Sequence, residues 1–127
     1  MGYAQLNIKG QNAKIETIST ARTGFITLKC QGNVYYIGTT TTNRFDDPFI
    51  LYIGEDKDSA IQTLKDLINL CGNMEENTSL IIDNGGRECR ITPGAMGTLY
   101  FHSDYHAGFA SATKQELTKF LKALNSR

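Results

Sequence analysis

Apolar and polar positions alternate through most of the first half of the chain. Ala4, Leu6 and Ile8 face one way and Gln5, Asn7 and Lys9 the other, which predicts a strand over Tyr3–Lys9. Gly10-Gln11-Asn12 turns into a second strand, Ala13–Ser19, with Ile15 and Thr17 on a shared face. Two further runs, Phe25–Cys30 and Val34–Thr39, flank Gln31-Gly32-Asn33, a short glycine-containing loop of the kind that closes an antiparallel hairpin. Asn43–Pro48 is polar, ends in proline and reads as a loop, and the apolar run Phe49–Ile53 reads as a strand buried on both faces. The period then changes. Ala60, Ile61, Leu64, Leu67, Ile68 and Cys71 form one stripe at helical spacing, so a helix is expected over Asp56–Cys71. Glu55, Asp56 and Asp58 suit its positive N-terminal end, and Gly72 supplies its stop. After the polar linker Asn73–Thr78 comes a strand Ser79–Asp83, the turn Asn84-Gly85-Gly86, an alternating strand Arg87–Thr92 broken by Pro93-Gly94, and a strand Thr98–His102. Thr113 and Glu116 form a capping box ahead of a last helix with the stripe Leu117, Phe120, Leu121 and Leu124. The expected order is five strands, a helix, three strands and a helix. This is the α+β class, a mainly antiparallel sheet with two helices packed on it.

Composition narrows the class. The chain has 127 residues, 40% hydrophobic and 20% charged, with no low-complexity segment, so a single domain spanning residues 1–127 is expected. Cys30, Cys71 and Cys89 are far apart in apolar stretches, with no C-x-x-C pair and no Cys/His cluster, so buried thiols are expected, not a disulfide framework or a metal site. The polar N-terminus does not read as a signal peptide, and no apolar run approaches the roughly 20 residues of a membrane span. A cytoplasmic protein without a membrane partner is the expectation. Thirteen basic residues balance thirteen acidic ones, which argues against a nucleic-acid partner held by bulk charge. The charges are segregated, however. Residues 1–45 hold five basic residues and one acid, residues 46–83 two against nine, and residues 84–127 six against three. Such blocks can make complementary patches, and short strands leave edges to cover, so a homo-oligomer, dimer or higher, is expected.

Three segments carry candidate chemistry. His102-Ser103-Asp104-Tyr105-His106 holds both histidines beside a serine, an aspartate and a tyrosine. Its H-x-D-x-H spacing builds a triad or metal site only if the strand persists through His106, and Gly108 points to a turn. The segment is either a structural loop or one whose His102, Asp104, Tyr105 and nearby Phe109 touch a ligand. Asp83-Asn84-Gly85-Gly86-Arg87 is explained by turn chemistry alone; the alternative adds glycine amides and Arg87 or Arg90 holding a phosphate or ribose. In Asn43-Arg44-Phe45-Asp46-Asp47, Arg44 and Phe45 can clamp a planar charged ligand. Otherwise Phe45 and Phe49 enter the core and Arg44 pairs with the aspartates. No P-loop, dinucleotide fingerprint, G-x-S-x-G or H-E-x-x-H occurs, and no carboxylate pair sits in an evidently apolar setting. A binding protein without catalytic residues, metal or cofactor is therefore expected.

Two family resemblances bear on the ligand. Leu80–Leu124, with its hairpin strands, edge strand and closing helix, resembles the repeat of single-stranded nucleic-acid-binding proteins of the Pur and Whirly type. The order of elements along the whole chain, including the helix that Ile53-Gly54-Glu55-Asp56-Lys57 leads into, is similar to the phage Thoeris anti-defence proteins. That second resemblance implies a sponge for a cyclic ADP-ribose-type signal: a homo-oligomer binding a small nucleotide-derived ligand at subunit interfaces without turnover, serving phage immune evasion in the bacterial cytoplasm. A protein–protein inhibitor is a further alternative.

Overall fold

The computed structural model describes residues 14–127. The strand predicted over Tyr3–Lys9 and the turn after it lie outside the described residues. Eight strands and two helices follow: β1 (Ile15–Ala21), β2 (Ile26–Gln31), β3 (Val34–Thr39), β4 (Phe49–Gly54), α1 (Lys57–Leu70), β5 (Leu80–Asn84), β6 (Arg87–Pro93), β7 (Leu99–His102), β8 (Ala110–Ala112) and α2 (Lys114–Asn125). They form two antiparallel sheets, ordered β1-β2-β3-β4 and β5-β6-β7-β8, with each strand beside its neighbour in sequence. The described chain is thus one plan used twice, four meandering strands and then a helix. The second half has four strands where three were expected. The missed one, Ala110–Ala112, is a three-residue Ala-Ser-Ala edge whose small side chains give hardly any hydrophobic alternation.

Both helices begin as their chemistry demands. The Asp56 side chain accepts from the Ser59 amide while the Ser59 hydroxyl returns to the Asp56 backbone, and Thr113 with Glu116 repeats the exchange at α2. Ala60, Leu64 and Leu67 of α1 and Leu117, Phe120 and Leu124 of α2 are buried. The helices lie against each other, α1 along β4 and α2 along β1. Their stripes meet the inner faces of both sheets in one core that includes Ile26, Leu28, Ile37, Phe49, Ile91 and Phe101. Phe49 and Phe101 join the sheets directly, with ring centroids 6.1 Å apart.

Two strands depart from expectation. In β4, Phe49, Leu51 and Ile53 are buried but Ile50 and Tyr52 are exposed, so the apolar run is buried on one face only. In β1, a register shift between Thr17 and Ser19 resets the alternation. Ile18 packs on the core and Ile15 is left 57% exposed.

Candidate functional site

The β3–β4 and β7–β8 loops are knit together by one carboxylate. Asp46 accepts from the amides of Ala107 (3.0 Å) and Gly108 (2.8 Å) and from the Thr41 hydroxyl (2.6 Å). The Thr41 bond first, then the two amides, hold the Asp46 carboxyl below its usual range. Thr42 and Phe109 exchange two more bonds, amide to carbonyl at 3.0 Å and amide to hydroxyl at 3.1 Å. Asp46 is thereby committed to the loops and not to Arg44. Arg44 lies over the Phe45 ring, 4.8 Å from its centroid. Phe45 is 82% exposed although Phe49 is buried, so only one of the two phenylalanines joins the core.

The two histidines have separate duties. His106 contacts the Ser103 hydroxyl through Nδ1 (2.7 Å) and the Pro48 carbonyl through Nε2 (3.3 Å), and stands edge-on to Phe49. It props the loops. His102 pairs with the Thr92 hydroxyl at 2.9 Å on the outer face of the second sheet. Burial, reinforced by Arg90, lowers its pKa and favours the neutral ring. His102, Asp104 and His106 therefore build no triad, and among the described residues no three His, Cys, Asp or Glu side chains converge on a metal position.

The β5–β6 turn is also more structural than its composition suggests. Asp83 accepts from the Gly86 amide at 3.1 Å. The Asn84 carboxamide reaches the exposed edge of β4, accepting from the Tyr52 amide (2.9 Å) and donating to the Ile50 carbonyl (2.8 Å). One side chain thus does for β4 what a further strand would do. Gly85 follows at φ +65°, and a Cβ there would lie 2.7 Å from the Tyr52 ring, so only glycine fits.

Arg44, Arg87 and Arg90 stand apart from the other arginines. Arg22 pairs with Glu116 at 2.6 Å and Arg127 with Glu16, whereas among the described residues these three have no carboxylate partner. The Arg87 guanidinium carbon stands over the Tyr105 ring, 3.9 Å from its centroid, and Tyr105 is 64% exposed. Arg90 stands on the outer face of the second sheet opposite His102. Phe109 leans on His102 and Tyr100, at 5.5 and 4.7 Å between centroids.

A chain of hollows runs past all three. Arg44 lines one of about 310 Å³, which shares Pro48 with a hollow of about 330 Å³ lined by Tyr52, Asn84, Arg87 and Tyr105. Glu88 and Ser103 lead from there to a hollow of about 160 Å³ with Arg90, His102 and Asp104. Arg90 then borders a hollow of about 840 Å³, larger than these three. The expected residues fall into three groups: Arg44, Arg87, Arg90, His102, Asp104, Tyr105 and Phe109 border the groove or its aromatic flank, Phe45 stands exposed beneath Arg44 and lines none of these hollows, and Asp83 and Asn84 mainly build the turn beside the groove. Sequence reasoning missed Tyr100 and Thr92, which the alternation of β6 and β7 places on the face of Arg90 and His102. It also missed Tyr52, hidden in a run read as wholly buried. No protein-family model, curated protein or solved structure matches the chain.

Proposed function

We propose that the protein binds a nucleotide-derived ligand, without turnover, along this groove. The observation that carries the reading is the set of three arginines without carboxylates, two of them lying on aromatic rings beside hollows. A planar guanidinium fits phosphate oxygens in pairs, and rings at its side offer stacking for a base. The role that accompanies such binding is sequestration of a cyclic ADP-ribose-type signal in the cytoplasm of an infected bacterium. A homo-oligomer belongs to the same reading, supported by the edge strand β5 with its exposed Leu80 and Ile81. The test is calorimetry with a panel of linear and cyclic nucleotides. Wild type is expected to bind at least one, and Arg87→Ala or Arg90→Ala to weaken it roughly ten- to a hundred-fold, the worth of one charge-assisted contact. A wild type that binds none at micromolar concentration ends the reading.

The doubled plan of four strands and a helix favours a second reading, a single-stranded nucleic acid laid along the successive hollows with bases on Tyr105, Phe109 and Tyr100. Salt separates the two. Affinity for a polynucleotide falls steeply as salt rises, and affinity for a small enclosed ligand falls much less.

A further inference from the structure

The hollow of about 840 Å³ at the Arg90 end of the groove has a frame that the arginines themselves do not require. One wall is the α1–β5 linker and the other the β6–β7 connection, a 3-10 turn at Ala95–Gly97. The two walls touch where Gly97 comes up to Gly72, leaving no slack for a side chain at Gly97, whose Cβ would lie 3.2 Å from the Gly72 amide. Each wall holds a non-glycine residue in the left-handed region, Asn77 at φ +61° and Met96 at φ +57°. Asparagine adopts that conformation readily and methionine does not, so Met96 is the one that marks a shape the surrounding structure enforces. Met96 is fully exposed at the tip, an unbranched apolar side chain with nothing to cover. On the inner side the Tyr100 ring lies over Gly94, so close that a Cβ there would be 2.5 Å from it. Glycine at that position lets the ring lie where it borders the hollow.

The lining has a definite chemistry. Arg90 is its cation and Glu76 its carboxylate, with the hydroxyls of Thr78, Ser79 and Thr92 beside them and the Tyr100 ring among Leu70, Met74 and Leu99. We infer that this hollow receives the nucleoside part of a nucleoside phosphate: the phosphate on Arg90, the base against Tyr100, and ribose hydroxyls donating to Glu76. The placement rests on the nucleotide reading above and adds to it where, and through which moiety, the ligand is recognised. A bare anion would need Arg90 alone; the hydroxyl-rich, ring-bearing remainder of the lining calls for a sugar and a base.

The test uses AMP, adenosine, ribose 5-phosphate and inorganic phosphate as calorimetric probes of the full chain. AMP is expected to bind more tightly than each of its fragments. Tyr100→Leu is expected to weaken AMP about ten-fold or more, as loss of a stacking ring does, and to leave inorganic phosphate unchanged, while Tyr100→Phe keeps AMP binding. Ala95→Trp, which fills the hollow from its exposed rim, removes AMP binding without depending on how the sheet tolerates a change at Tyr100. If AMP binds but ignores both Tyr100→Leu and Ala95→Trp, while Arg87→Ala abolishes it, the hollow is the wrong place and the nucleotide reading stands. Inorganic phosphate binding as well as AMP overturns the inference too. If neither AMP nor any other nucleotide binds wild type, the reading and the inference fall together.

Discussion

At the scale of single residues, much of what the sequence marks as chemistry turns out to be carpentry. Asp46 and His106 stand in loops and Asp83 and Asn84 at the end of β5, and each has its polar side chain occupied with backbone atoms. Composition reveals that such groups are present; which of them are already engaged depends on partners as distant as Ala107 from Asp46, and no local pattern records that. Arg44 and Arg87 were legible as candidates from their places beside an aromatic residue and a glycine turn, but that the acids next to them in sequence leave them unpaired is shown only by the fold. Asp46 gives the sharpest check. Its carboxyl titrates below the ordinary value of about 3.9 because the folded loops donate to the ionised form. The bonds are therefore fully present above that value and are lost as pH falls through the lower, folded pKa. The amide proton shifts of Ala107 and Gly108 are expected to titrate together with a midpoint below about 3.9. A midpoint at or above that value would show that the two loops are not held by this carboxylate.

Elements were legible wherever a long period had time to declare itself. The α1 stripe is the clearest case: Leu64 is fully buried, flanked by Ala60 and Leu67. Leu64→Ala is expected to cost about 2–5 kcal/mol, the usual range for an emptied core leucine, measured by denaturant unfolding. A loss under about 1 kcal/mol would mean that the helix does not rest on the sheet through this residue. Short strands were less legible. In β4, aromatic and aliphatic side chains occupy both faces, so hydrophobicity alone does not separate Tyr52 and Ile50, outside, from Leu51 and Ile53, inside. In β1 a single register shift exchanges the faces, and the residue after the shift carries no glycine or proline to announce it.

For the molecule as a whole, the doubled plan was visible only in part, because the α2 half reads with one strand too few: the short Ala110–Ala112 strand leaves no alternation to find. Two sheets need not mean two stability units. Both inner faces and both helices share one core, so unfolding is expected to be a single cooperative transition, with far-UV circular dichroism and tyrosine fluorescence tracing the same denaturant curve. Curves with separated midpoints would assign each half its own core.

The meandering order carries a consequence for a chain that is still being made. Among the described residues every strand pairs only with the one just before or after it, so each sheet can zip up as it leaves the ribosome, with little delay from long loop closures. The exception is α2, which comes last and lies along β1, tied to it through Lys119 on the Thr20 carbonyl and through Arg127 on Glu16. Until those final residues emerge, the first sheet waits with the β1 end of its apolar face bare. That interval, between the first sheet's completion and the closing helix's arrival, is when the nascent protein is most open to sticking or to capture by a chaperone.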